Sequence, residues 1–412
     1  MMRAHISVII VILALLLLAM PAVAADWPMA KKDATHTSYA DDLLSPPLEP
    51  AWTIGVGGGI VASPVISDGV LYFSNDTGKT ITAMNVSTGT VVFMRAAGGP
   101  IESTPAVAGS TIIFGAYDGN VYCVKRSDGS LQWLTPLGSG IYSSPLVYQG
   151  FVYIGTDDGA FYALDQGNGK VVWTLPKSPT QGSPAGDDGK VFIGMLDGNV
   201  YALDAKTGDV TWAFNTTDSV HSSPMIYNDT VYIASRSGKL YALDENSGAL
   251  RWTADLGYKT DATPAIDPAT RTIFIGTFGG YMFAVDPDDG EFKWISDYYG
   301  PIYSTVTIVG DVVYGCTQKG KLFALDTANG SARWTYDLGS ETWASPAIAG
   351  DRLYTGTMDG RLVAFRTSSA PVTTATPTAM PPASAAATTH FPGIALVLAA
   401  LVSAAAIIRL RK

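Results

Sequence analysis

Two cysteines in 412 residues cannot build a disulfide scaffold, and neither stands in a Cys-x-x-Cys pair of the kind that binds zinc or cycles thiols. Charge is scarce as well: Asp, Glu, Lys and Arg make up 15% of the chain, with 26 basic residues against 36 acidic ones. No basic stripe is present, which argues against a nucleic-acid partner. Wholesale disorder is also excluded, because 47% of the residues are hydrophobic and can bury a sizeable core. What abounds instead is glycine, 43 copies, beside nine tryptophans.

Both ends read as targeting segments. Residues 1–25 carry one charge, Arg3, then an apolar run from Ile6 to Met20 and a small-residue site at Ala22-Val23-Ala24, the layout of a secretory signal peptide cleaved after Ala24 or Ala25. Residues 367–390 form a Thr/Pro/Ala/Ser stalk, uncharged from Ser368 to Thr389, with a reach of roughly 25–70 Å depending on stiffness. Residues 391–408 are almost wholly apolar, about the minimum for a membrane helix. The tail 409–412 is basic and belongs on the cytoplasmic side. The expected topology is an exported body at the cell surface, anchored to the cytoplasmic membrane by its C-terminus. This layout is similar to the archaeal sorting signal of Thr-rich stalk, Pro-Gly-Phe, apolar helix and basic tail. Here the tripeptide is Pro392-Gly393-Ile394, which leaves open whether the helix is exchanged for lipid or retained.

Between the ends the chain repeats. A Ser/Thr-Pro pair places its proline at Pro64, Pro105, Pro145, Pro184, Pro224, Pro264 and Pro346, and Val306 takes the remaining place. An aromatic column runs in the same frame: Trp52, Phe93, Trp133, Trp173, Trp212, Trp252, Trp294 and Trp334. Steps in both columns are 39–42 residues, and both locate the two extra residues near Pro268. Each unit reads as four short strands; in the third these are Leu146–Tyr148, Phe151–Gly155, Ala160–Leu164 and Val171–Thr174. The second and third strands are apolar on both faces, as a sheet packed between two others requires. Glycines close two turns per unit, at Gly78, Gly119, Gly159, Gly198, Gly238, Gly280, Gly320 and Gly360, and again at Gly89, Gly129, Gly169, Gly208, Gly248, Gly290 and Gly330. Positive φ is expected at both sets.

Four-stranded units of about 40 residues are the signature of β-propeller blades. The eighth unit holds three strands, and its missing fourth, with Trp52, stands at the start as Ala51–Ile54. The expected fold is all-β: an eight-bladed β-propeller of four-stranded antiparallel blades over residues 51–366, its ring closed by the N-terminal strand, after a leader segment at 26–50. A linear solenoid would not need that split. Residues 26–366 hold all 36 acidic residues but only 22 of the 26 basic ones, a net charge of −14, so polyanions are poor partners.

The pattern Tyr-Ala-Leu-Asp-x-x-x-Gly-x-x-x-Trp runs from Tyr162 to Trp173, from Tyr201 to Trp212 and from Tyr241 to Trp252. It resembles the pyrroloquinoline-quinone (PQQ)-type propeller repeat, found in quinoprotein dehydrogenases and in non-enzymatic relatives such as the outer-membrane-assembly propeller lipoprotein. Asp26-Trp27-Pro28-Met29, with Asp33, His36 and Thr37, resembles the leader of the non-enzymatic members. For the enzymes the resemblance implies PQQ on the propeller axis, calcium held by acidic and amide ligands, and often a vicinal cysteine pair on the quinone. Cys123 and Cys316 are not adjacent, no unit exceeds 42 residues, and no Cys-x-x-Cys-His haem motif exists. No cofactor is expected; PQQ and Ca²⁺ belong to the alternative, a PQQ/Ca-dependent quinoprotein oxidoreductase. The main expectation is a non-catalytic binding or scaffolding module of the cell envelope.

Candidate function lies where the repeat varies. Three places before the proline column stand Val61, Glu102, Tyr142, Gln181, His221, Asp261, Tyr303 and Trp343. Two places before the first glycine column stand Asp76, Tyr117, Asp157, Leu196, Arg236, Phe278, Gln318 and Met358. Strand polarity puts both columns at one mouth of the channel, an aromatic and acidic funnel suited to a small ligand, a peptide, a carbohydrate or an envelope protein. His221 beside Asp261 is the one acid–base pair that spacing suggests, and no nucleophile accompanies it. No metal site is expected, since convergence of Glu102, Asp261, Asp76 and Asp157 on a cation does not follow from spacing. The Ser or Thr before each proline reads as a structural hydrogen-bonding residue. Glycosylation sequons start at Asn75, Asn85, Asn215, Asn228 and Asn329, all in turns or at strand ends.

Overall fold

The structure, a computed structural model, describes residues 26–297 and 300–369. The expected signal peptide, the stalk beyond Ser369, the apolar segment 391–408 and the basic tail lie outside the described residues. Among the described residues no helix is long and apolar enough to cross a membrane.

Eight antiparallel sheets follow one another along the chain and form a closed ring, an eight-bladed propeller. Blade 1 comprises Val65–Ser67, Val70–Asn75, Thr80–Asn85 and Val91–Ala96, from channel to rim, and the later blades repeat it. In blade 8 the strands Ala347–Ala349, Arg352–Gly356 and Arg361–Thr367 are completed by Leu48–Gly55, in register from Leu48 opposite Thr367 to Gly55 opposite Arg361. The closing strand is thus the expected one, starting three residues earlier than Ala51. The second and third strands of each blade are buried almost throughout. The outermost is largely exposed, and in Val91–Ala96 only Phe93 is buried, because this strand lies at the rim of the ring.

Blades dock through the two repeated columns. In every blade a bulge precedes the column aromatic and re-aims its side chain. In five blades the indole N–H donates to a backbone carbonyl of the next blade at 2.8–3.0 Å: Trp133 to Gln166, Trp173 to Ala205, Trp212 to Glu245, Trp252 to Pro287 and Trp294 to Thr327. The second-column glycine of that next blade sits under the same ring. A Cβ there would stand 2.5–2.6 Å from the indole. These glycines also hold positive φ, as expected, so they are fixed twice over.

One glycine departs from expectation. Gly78 is not left-handed; Lys79 carries the positive φ, 51°, in blade 1. Gly78 is needed for room instead, because a Cβ would meet the Asn75 carboxamide. Asn75 is itself buried, its Nδ2 donating to the Val56 carbonyl at 2.6 Å and its Oδ1 accepting the Gly78 N–H. That overturns Asn75 as a glycan site, since the atom to be modified is spent inside the fold. Asn215, Asn228 and Asn329 are exposed and Asn85 is half-buried.

The leader is the feature that periodicity did not describe. It winds once around the inner face of the ring in blade order. Trp27 exchanges two backbone hydrogen bonds with Ile66 of blade 1 (2.8 and 2.9 Å), and Pro28 accepts from Val107 of blade 2. Ala34, Thr35, Thr37 and Ser38 then accept from Gly186, Ile226, Ile266 and Ile308 of blades 4 to 7. Tyr39–Ala40 adds a parallel fifth strand to blade 7, and Asp42 accepts the Gly350 N–H of blade 8. In six blades the innermost strand would otherwise present an unpaired N–H group to the channel, and the belt satisfies it. The family-like residues account for its shape. Asp33 accepts from Thr35 and Thr37, while Asp26 accepts from Ser67 and Asp68. His36 is buried, and its Nδ1–H donates to the Pro224 carbonyl at 2.7 Å.

Candidate functional site

Along each inner strand the same three levels recur: first the variable column, next the Ser/Thr column, then the belt. The two variable columns do share one mouth. All eight second-column N–H groups, from Asp76 to Met358, donate at 2.7–3.0 Å to the carbonyl two residues ahead of the first column in their own blade. Two of these side chains then contact the first column of the following blade: Arg236 meets Asp261 and Phe278 meets Tyr303.

Below the mouth lies a cavity of about 470 Å³, in the range of small-molecule sites. Of the candidate residues, Glu102, Tyr142, Gln181, His221, Arg236, Asp261, Phe278, Tyr303 and Trp343 line it. Asp76, Tyr117, Asp157 and Gln318 lie outside the lining. Asp76 and Asp157 are still close enough to act on Glu102. Burial first, and then these two carboxylates, raise the Glu102 pKa above its ordinary value. Burial, with Glu102 next, also pushes the Tyr142 hydroxyl up to about 12.

The walls differ in character. Phe278, Tyr303 and Trp343 form a continuous aromatic face, with ring centroids 4.2 and 5.0 Å apart, and the Arg236 guanidinium stands 5.9 Å from the Phe278 ring. Arg236 grips Asp261 through two parallel bonds of 2.8 and 2.7 Å. His221 binds Gln181 instead, Nδ1 to Oε1 at 2.8 Å, and burial holds its pKa below the usual value. The acid–base pair suggested by spacing is therefore not formed: Asp261 is taken by Arg236 and His221 by Gln181.

The cavity floor was missed as a site. The Ser/Thr column forms a hydrogen-bonded ring in which the backbone N–H of one blade donates to the hydroxyl of the next. Seven of the eight links lie at 2.8–3.2 Å: Ser63 to Thr104, Thr104 to Ser144, Ser144 to Ser183, Ser183 to Ser223, Ser223 to Thr263, Thr305 to Ser345, and Ser345 back to Ser63. All eight residues line the cavity. The uniformity of this column was the signal, and it fits the structural role expected of it. Lys31 of the belt also lines the cavity, as does Lys259. Burial pushes the Lys31 ammonium down from 10.5 to about 8, with no carboxylate among the influences on it. No repeat column contains Lys31, so no spacing argument could have placed it.

Among the described residues no three His, Cys, Asp or Glu side chains stand close enough to share a metal ion. Calcium takes six to eight oxygens, with carboxylates prominent among them. The residues present do not fit a preformed acidic calcium cage.

The ring, its docking columns and its axial cavity define an eight-bladed PQQ-type propeller. The chain belongs to the PQQ-repeat family described as outer membrane protein assembly factor BamB, whose overlapping matches cover residues 47–134, 94–238, 175–301 and 236–392. No curated protein matches it. Among solved structures it is similar to BamB from Moraxella catarrhalis at 17% identity, covering 79% of this chain and 100% of that one, TM-score 0.68. A europium-containing methanol dehydrogenase is similar at 14% identity, 83% and 98% coverage, TM-score 0.76. The quinohemoprotein alcohol dehydrogenase of Comamonas testosteroni follows at 16% identity, 84% and 81% coverage, TM-score 0.72. These likenesses are of fold.

Proposed function

We propose that this chain is an exported binding module of the cell envelope, held at the surface by its C-terminal segment, with a small ligand or the tip of a larger one seated in the axial cavity. The supporting observation is the cavity itself. It has an aromatic wall, and four of its polar side chains are already paired, Arg236 with Asp261 and His221 with Gln181. Such pairing preorganises a binding surface and leaves no base beside a nucleophile. Envelope proteins, peptides and carbohydrates are the partner classes, and Asn215, Asn228 and Asn329 are accessible to glycosylation. Replacing Tyr142, Tyr303 and Trp343 together with Ala should reduce capture of envelope components by at least tenfold while leaving the melting temperature nearly unchanged. Equal capture by the variant and the parent would refute the cavity as the binding site.

The second reading is a quinoprotein oxidoreductase, favoured by the likeness in fold to the two dehydrogenases. Titration of the purified chain with PQQ and Ca²⁺ separates the readings. Stoichiometric quinone uptake with dye-linked alcohol oxidation would establish the second, and the expected result is no uptake at micromolar quinone.

A further inference from the structure

Three features of the cavity floor have no part in the binding surface above it. The first is charge. Although the body of the protein is strongly acidic, the cavity is lined by three cations, Lys31, Arg236 and Lys259, against two carboxylates, Glu102 and Asp261. Arg236 and Asp261 neutralise each other at 2.7 Å. Glu102 belongs to the acidic side with Asp76 and Asp157. Among the described residues no carboxylate is partnered with Lys31.

The second feature is the direction of the hydroxyl ring. Seven hydroxyl oxygens each accept a backbone N–H from the neighbouring blade. With that acceptor role filled, each O–H remains to donate, and a collar of O–H donors around one ammonium complements an oxyanion rather than a cation. The third is cost. A half-buried ammonium with no counter-charge among the described residues weakens a fold, and an apolar side chain of similar size would suit the belt better.

We infer that Lys31 and the Ser/Thr ring form the floor of an anion site, and that the cavity takes a small molecule bearing one carboxylate or phosphate, its anionic end on Lys31 and its body against Phe278, Tyr303 and Trp343. The inference rests on the axial cavity being the binding site and names the chemistry of its ligand. An acidic body of net −14 keeps large polyanions away, while a single small anion feels chiefly the local cation.

The test is calorimetric titration of the full-length chain at pH 7 with glucuronate and with glucose, which share a ring and differ in one carboxylate. Glucuronate should bind at least tenfold more tightly than glucose, and inorganic phosphate should compete with it. In Lys31→Met the preference should vanish, with a melting temperature no lower than the parent's. Should that variant fold poorly, competition by phosphate in the parent chain and the weaker substitution Lys31→Gln carry the same test. Equal binding of glucose and glucuronate by the parent, or an undiminished preference in both Lys31 variants, would overturn the anion site. If the aromatic triple variant still loses capture in that case, the cavity stands as the binding site and only its proposed anion chemistry falls. If capture is unaffected too, both fall.

Discussion

A Gly208→Ala chain is expected to lose about 2–4 kcal/mol of stability, more than the same change at most other glycines. Two costs coincide at this position. The backbone is left-handed at φ +77°, which disfavours any residue with a Cβ by about 1–2 kcal/mol. The added methyl would also stand 2.6 Å from the Trp173 ring, which is held by its indole bond to Ala205, and overpacking of this kind costs about 1–3 kcal/mol. Gly189 supplies the control. It holds φ +72° and has open space, with nothing within 4 Å of where a methyl would stand, so Gly189→Ala should lose only the backbone part, about 1–2 kcal/mol. Parallel denaturant curves read the difference. Equal losses at the two positions would mean that tryptophan docking contributes nothing to cohesion between blades.

Lys31→Met is expected to be more stable than the parent by about 3 kcal/mol at pH 7, in buffer free of oxyanions. The sign follows from linkage. The Lys31 pKa falls from 10.5 in the unfolded chain to about 8 in the fold, and each unit corresponds to about 1.4 kcal/mol. The unfolded chain therefore holds this proton more tightly, and keeping it in the folded state is a cost that is complete below pH 8. That cost fades as pH rises from 8 towards 10.5, so the parent should gain on the variant across that window and approach it at the upper end. Melting both proteins at intervals from pH 6 to 10.5 measures this. The neighbouring His36 is held neutral by burial and by Lys31 itself, and should not contribute between those limits. A difference independent of pH, or a variant weaker than the parent at pH 7, would mean that Lys31 is stabilised by its surroundings.

The glycine result shows how much of the ring is written in repetition. A residue that recurs at a 40-residue step must do the same job in every blade. The proline, tryptophan and glycine columns could therefore be assigned to turns and strands with no coordinates at all. Even so, the job of the second glycine column was only half visible. Positive φ follows from a turn between strands, whereas the overlying indole belongs to the preceding blade. Gly78 and Asn75 show the complementary failure. In blade 1 a carboxamide takes over the turn, which moves the left-handed residue to Lys79 and buries a sequon.

The variable columns were legible as a place but not as a set of partners. Strand direction alone sends both columns to one mouth. Which side chains meet there depends on the rotation between successive blades, which brings the second column of one blade against the first column of the next. That rotation joins Arg236 to Asp261 and Phe278 to Tyr303, leaving His221 to Gln181.

From the sequence alone came the number of blades, their strand order, the closing strand around Trp52 and the mouth that carries the variable residues. Each is a consequence of periodicity, which survives without knowledge of any contact. Tertiary structure alone decided the path of the leader, because its hydrogen bonds go to backbone groups of seven different blades and backbone groups leave no mark in a sequence. The same path carries Lys31, a residue with no counterpart in any repeat, into the cavity beside a ring of hydroxyls supplied by all eight.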